Sequence, residues 1–243
     1  MSGHSALLIG ATGATGKHLL RELLTSSYFT RVAEAGRRVT PKEQLPSGTE
    51  AKLQQIVVDF EKIGEAGLKD GKWDVVFITL GTTAKAAGSK AAFETIDREY
   101  VVNAAKAARV EDADQRLIYV SSNSANPKSL ATYVRSKGLT EQALAEIGYS
   151  DTIVYRPGFL KGAERPDFRF LESVFSPVSS LLSYVSDNIE IDVSVLAKSI
   201  RISGQLGSAN LPAAAAATQQ SWGGKPFTTI GNKGSLYLAK ENV

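Results

Sequence analysis

The stretch SALLIGATGATGKHLLRELL, residues 5–24, decides how this chain folds. Residues 5–9 form a compact apolar run that breaks at Gly10, the pattern of a buried strand. Leu19, Leu20, Leu23 and Leu24 then recur at helical spacing and put one apolar stripe on a helix over about residues 14–26. Between them Gly10, Gly13 and Gly16 follow a Gly-x-x-Gly-x-x-Gly spacing, one residue longer at the first gap than the usual dinucleotide fingerprint. The physical requirement is the same. Glycine permits a tight turn and lets backbone approach a pyrophosphate, while the free amides at the start of a helix favour the anion. The segment predicts a dinucleotide site built from Gly10, Thr12, Gly13, Ala14, Thr15 and Gly16.

Outward from this loop, short apolar runs alternate with helical-period segments. Residues 32–35, 56–58, 75–80, 117–120 and 152–155 read as five further strands. Residues 90–110 carry an inner stripe of Phe93, Ile96, Tyr100, Val101, Ala104 and Ala108, and residues 130–147 are again helical. The alternation predicts an α/β fold, a Rossmann-like doubly wound parallel sheet. Past Arg156-Pro157-Gly158 it stops. Residues 168–184 are aromatic and interrupted by Pro177, 192–202 read as a capped amphipathic helix, and LPAAAAAT at 211–218 reads as a surface excursion. The chain is expected to be one domain over 1–243, with a core at about 5–165 and a small substrate-side extension over 166–243. The crowd of apolar side chains from 168 to 182 is expected to roof an apolar pocket.

Composition narrows the chemistry. With 243 residues, 43% hydrophobic and 22% charged, the chain is long enough to bury a sizeable core without staples. There is no cysteine, so disulfides, thiol nucleophiles and thiolate metal sites are excluded. His4 and His18 are the only imidazoles and have no ligand-spaced carboxylates, so no metal is expected. A formal charge of +3, scattered along the chain, gives no footprint for nucleic acid. No run reaches the ~18 apolar residues of a spanning helix. The opening MSGHSALLIGATG has neither a signal-peptide pattern nor an Arg-rich presequence.

The cofactor's identity turns on the end of the second strand, where an acid binds the ribose hydroxyls and an arginine accommodates a 2′-phosphate. Arg37 and Arg38 lie just past it and favour NADP, while Glu34 is the competing candidate and falls within the strand. Asp59 and Phe60 are placed to meet the adenine. Leu80, Gly81, Thr82 and Thr83 end the fourth strand where a ligand crosses the sheet edge. Tyr133 and Lys137 are four apart on a helix, so phenol and ammonium share a face, and the cation favours the phenolate. Ser121 and Ser122 close the fifth strand at the same edge; both are candidates for the catalytic serine.

Taken together, these residues resemble the short-chain dehydrogenase/reductase superfamily, whose Ser, Tyr and Lys match Ser122, Tyr133 and Lys137. Within it the chain is similar to an atypical group comprising fungal oxidoreductases of the mitochondrial proteome and their animal relative, the Tat-interactive protein. IGATGATGK, GRR, VVDFE, LGTT, the run from Ile96 to Val101, VSS, Tyr-x-x-x-Lys and RPG carry the likeness, over roughly residues 5–165. The resemblance implies NADP held by the glycine loop, Arg37, Arg38, Leu80, Gly81 and Lys137, with Pro157 of the RPG turn and Arg165 beyond it. It also implies an NADPH-dependent reductase of an unidentified small molecule, which the apolar 168–182 segment makes an apolar one, on the cytosolic face of the mitochondrial outer membrane or in the cytoplasm, with peripheral membrane association. Its alternative is a nucleotide-responsive regulatory protein that presents the Rossmann core to a protein partner.

Overall fold

The computed structural model describes residues 3–162 and 190–241. Arg165, the 168–184 segment and its Pro177 lie outside the described residues. The strands are β1 (His4–Ile9), β2 (Phe29–Gly36), β3 (Leu53–Val57), β4 (Val75–Ile78), β5 (Arg116–Val120), β6 (Asp151–Arg156), β7 (Phe159–Lys161), β8 (Glu190–Asp192), β9 (Thr218–Trp222) and β10 (Lys225–Gly231). The helices are α1 (Ala14–Thr25), α2 (Ala84–Ala87), α3 (Lys90–Glu94), α4 (Tyr100–Ala108), α5 (Thr132–Glu146), α6 (Val193–Leu206) and α7 (Asn232–Leu238).

Eight strands form the main sheet in the order β3-β2-β1-β4-β5-β6-β10-β9. All neighbours are parallel except the β10–β9 hairpin. The order reverses at β1, the topological switch point where ligands bind outside the carboxyl ends of the strands. This is the expected Rossmann-like doubly wound sheet.

Strand side chains alternate between two cores. Ala6 and Leu8 face one side with Val32, Phe77, Ile118 and Ile153, under α1 and α6; Leu7 and Ile9 face the other with Ala33, Val76, Leu117 and Val154, under α4 and α5. All twelve are essentially inaccessible, as strands covered on both faces must be. Helix α6 lies so close to the sheet that a methyl on Gly204 would sit 2.4 Å from the Phe77 ring. An Arg201–Glu22 ion pair at 3.2 Å ties α6 to α1.

Three sequence expectations change. The main sheet does not end near residue 165: β10 pairs with β6 through Thr228 and Ile153, and β9 follows. The 211–218 stretch is mostly exposed, as a surface excursion is, but it is pinned to the protein at one point. Residues Ala213–Ala215 make a 3-10 turn whose Ala215 is fully buried, because Gly234 of α7 has no side chain to hold it off. The helix expected over 90–110 is three pieces, α3, a π-helical turn at Thr95–Glu99 and α4.

Candidate functional site

The glycine loop is shaped by close approach. Gly10 adopts φ +98, which a side chain would strain. A methyl on Gly16 would sit 2.0 Å from the Gly10 carbonyl oxygen, so only glycine lets the start of α1 press against the loop. Gly13 N donates to Gly10 O at 3.1 Å and Thr79 Oγ1 to the same oxygen at 3.1 Å, which fixes the turn to the end of β4. Gly13 is the N-cap of helix α1, whose first amides have no side-chain cap. Thr12 is exposed, Gly13 and Ala14 half-buried, and Thr15 buried. The uncapped amides and the dipole of this N-terminus fit a pyrophosphate.

At the end of β2 the two candidates separate. Arg37 and Arg38 are exposed. Glu34 is 1% exposed, and its carboxylate accepts from Thr40 N at 2.9 Å, Thr40 Oγ1 at 2.8 Å and Gln55 Nε2 at 2.6 Å. Those three donors engage both oxygens of its carboxylate. Asp59 is exposed past β3, accepting from Glu61 N at 3.0 Å. Phe60 is buried and stacked on Tyr100 with ring centroids 5.2 Å apart.

The other end of the site lies past β4 and β5, where Leu80, Gly81, Thr82 and Thr83 are half-buried. A methyl on Gly81 would lie 3.6 Å from Lys137 Nζ and 3.7 Å from Asp97 Oδ1, so the glycine sits over an ion pair. Lys137 Nζ is 2.8 Å from Asp97 Oδ1 and donates to Tyr119 Oη at 3.0 Å. Ser136 Oγ donates to Asp97 Oδ2 at 3.2 Å. Both charged side chains are buried, 5% and 0% exposed. Burial pulls the Lys137 pKa down, but Asp97 and, when ionised, the Tyr119 and Tyr133 phenols more than offset it, holding the ammonium well above the usual lysine range. Burial pushes the Tyr119 phenol up against the opposing pull of Lys137.

Tyr133 projects from the first turn of α5 with 36% exposure, its ring 6.0 Å from that of Phe93. Helix α5 is set against the loop after β5: Asn126 N donates to Val134 O at 3.0 Å, and a methyl on Gly138 would sit 2.3 Å from Pro127 N. The two serines divide. Ser121 is buried and donates to Glu141 Oε1 at 2.5 Å, while Arg156 Nη2 pairs with Glu141 Oε2 at 2.5 Å. Ser122 is half-buried, its hydroxyl 3.0 Å from that of Ser124. Pro157 accepts from Asn123 N at 3.0 Å and so joins the loops after β5 and β6.

Sequence reasoning missed Asp97 and Tyr119. Asp97 had a signal: it falls four residues from Phe93 and from Val101, inside the stripe that the helix buries. Tyr119 had another, since the hydroxyl of a tyrosine inside an apolar strand needs a partner.

Comparison with known proteins agrees with this geometry. A family model described as NAD(P)H-binding matches residues 10–178. The rat protein HTATIP2 is 35% identical over 160 residues, 66% of this chain and 64% of its own, so the match spans just under two thirds of that relative. The mitochondrial protein fmp52 of Emericella nidulans is 34% identical over 186 residues, 75% of this chain and 78% of its own. Among solved structures, WbmF of Bordetella bronchiseptica in complex with NAD+ superposes with TM-score 0.63 at 13% identity, covering 98% of this chain and 77% of that one. A short chain dehydrogenase from Burkholderia cenocepacia in complex with NADP gives 0.57 at 19%, with 86% of each chain covered. At those identities the likeness establishes the fold. Among the described residues, no helix is long and apolar enough to cross a membrane, and no three His, Cys, Asp or Glu side chains cluster as metal ligands.

Proposed function

The chain belongs to the NAD(P)H-binding family, and from that premise we propose that it is an NADPH-dependent oxidoreductase of the carbonyl reductase type. The observation that carries the reading is the state of Glu34. Its carboxylate is consumed by Thr40 and Gln55, while Arg37 and Arg38 stand exposed beside it. A site for NAD needs an acid for the ribose hydroxyls, whereas a 2′-phosphate needs the charge-assisted, bidentate donors of arginine.

The first amides of α1 and the glycine loop would hold the pyrophosphate, Arg37 and Arg38 the 2′-phosphate, and Leu80, Gly81, Thr82 and Lys137 the far end of the cofactor. When bound, NADPH supplies a hydride. Ser122 is the serine with a hydroxyl available to donate to a substrate oxygen, since that of Ser121 is committed to Glu141. Tyr133, exposed at the start of α5, gives the proton to that oxygen. Lys137 keeps its charge at neutral pH through Asp97 and stabilises the phenolate that remains. The substrate of this reading is a small apolar carbonyl compound, and its location, by the names of the fungal relatives, is mitochondrial.

The test is calorimetric titration of the purified chain with NADPH and with NADH. NADPH is expected to bind more tightly, and replacing Arg37 and Arg38 together by Ala is expected to weaken it by about 2–4 kcal/mol, the scale of lost charge-assisted bonds, with NADH little changed. Equal affinity of the parent for the two cofactors would sink the NADPH assignment.

A further inference from the structure

The turn that carries Arg37 and Arg38 has an anchor that no motif announces. Strand β2 leaves the sheet at Gly36, whose carbonyl accepts from Val58 N at 3.0 Å. The chain then folds back closely enough that a methyl on Gly36 would lie 2.9 Å from Arg38 O. It returns to the protein at Thr40, which is 7% exposed. There Glu34 takes both the backbone N–H and the hydroxyl of Thr40, one on each carboxylate oxygen, at 2.9 and 2.8 Å. Gln55 of β3 closes the arrangement, its Nε2 donating to Glu34 Oε1 at 2.6 Å and to Thr40 O at 2.7 Å.

A buried carboxylate is costly unless hydrogen bonds replace its water. Here three donors do so, and two of them belong to the residue at which the turn re-enters the protein. The donors that meet it are amide, hydroxyl and side-chain amide, so the carboxylate acts as an acceptor at the base of the turn. Its two oxygens fix both the position and the orientation of Thr40. Gln55 does the same from the neighbouring strand. The length of chain between the fixed points, Gly36 and Thr40, is three residues, and two of those are the arginines.

We propose that Glu34 is a specificity-positioning residue: its carboxylate clamps residues 36–40 so that Arg37 and Arg38 are presented together to a 2′-phosphate. The inference rests on the NADPH reading above and deepens it. The acid at the end of β2, which in a ribose-binding role would select NAD, serves on this reading to select the phosphorylated cofactor by holding the arginines. Pre-organisation of this kind acts on the ligand that engages the turn and leaves untouched the one that does not.

The experiment measures dissociation constants for NADPH and NADH on the parent chain and on Glu34→Gln, Thr40→Val and Thr40→Ser. Glutamine keeps the size of Glu34 but sets an amide donor against donors already in place. Its ratio of NADPH to NADH affinity is expected to fall by about tenfold, the scale of one lost charged hydrogen bond, with NADH affinity unchanged. Thr40→Val deletes only the hydroxyl and is expected to lower the ratio by less, while Thr40→Ser keeps both donors and the parent ratio. A merely structural Glu34 would lower thermal stability, or both affinities in step, at constant ratio; that result in Glu34→Gln overturns the proposal. If Glu34→Gln does not fold, Thr40→Val carries the test, and an unchanged ratio there overturns it equally. A parent that prefers NADPH with variants that keep its ratio refutes the clamp alone. A parent without preference refutes the NADPH reading and the clamp with it.

Discussion

Replacing Asp97 by Ala should strand a charge, and the size of the effect can be worked from its surroundings. Lys137 is 5% exposed and Asp97 fully buried, so solvent screening offers little relief. Breaking a buried pair by removing one partner typically costs about 3–5 kcal/mol, because the remaining ion keeps its desolvation penalty. Ser136 loses only a 3.2 Å hydrogen bond, a minor addition. The pH dependence gives the sign. In the parent the Lys137 pKa is raised, so its contribution to stability is complete below the unfolded value of about 10.4 and is lost as pH rises through the higher folded value. Without Asp97, burial is the dominant influence left, the folded pKa drops below the unfolded one, and the variant regains stability as pH rises toward 10. The stability gap between parent and variant should therefore be widest at pH 7 and narrow by pH 9.5. Urea titrations followed by tryptophan fluorescence suit the measurement, since Trp73 is 2% exposed and reports loss of the core. Adding Lys137→Met to Asp97→Ala removes the stranded ammonium, and the double variant should be more stable than the single. A cost under about 1 kcal/mol for Asp97→Ala, or a double variant less stable than the single, would refute the claim that this pair holds charge in the site.

Two further outcomes follow from the same corner of the molecule. Tyr133→Phe should abolish carbonyl reduction while leaving NADPH affinity in calorimetry nearly unchanged, since the hydroxyl serves proton transfer; comparable turnover would rule out Tyr133 as the proton donor. Ser122→Ala should impair turnover with little change in melting temperature, whereas Ser121→Ala, which removes one of two donors to Glu141 Oε1 and leaves Arg156 Nε at 3.1 Å, should cost about 0.5–1.5 kcal/mol of stability; the reverse pattern in paired thermal and kinetic assays would exchange their roles.

Where periodicity and punctuation were strong, the sequence was legible. The glycine loop, the strands through β6 and the Leu19–Leu24 stripe could all be read because the apolar residues there face a core, with Val57 of β3, 69% exposed, the exception. Strand β9 escaped because it is an edge strand reading Thr-Gln-Gln-Ser-Trp and mostly exposed, with no alternation to detect. The π-helical turn escaped because one widened turn barely alters the 3.6 period over so few residues. Its consequence is large all the same, since Asp97 comes from that turn to lie under Gly81. Of the site, Tyr133, Lys137, Arg37 and Arg38 were readable as residue types at set spacings. The Glu34 clamp was not, because it joins a strand, a turn and a neighbouring strand whose proximity only the sheet order creates.

The late strand β10 has a consequence for biosynthesis. The motifs quoted above have all been made once residue 165 is reached, yet β6 then still lacks the neighbour that pairs Ile153 with Thr228. Tyr155, fully buried in the finished protein, still lacks Ser199, to whose carbonyl its hydroxyl donates at 2.8 Å. A nascent chain at that stage carries an open parallel edge and half-covered aromatic surface, the features that invite mispairing. Closing it requires a contact of long sequence separation, which is slow to form. The cooperative folding unit thus outlasts the motif-bearing segment, and a fragment cut to the motifs alone would retain the chemistry on paper while losing the strand that seals the sheet.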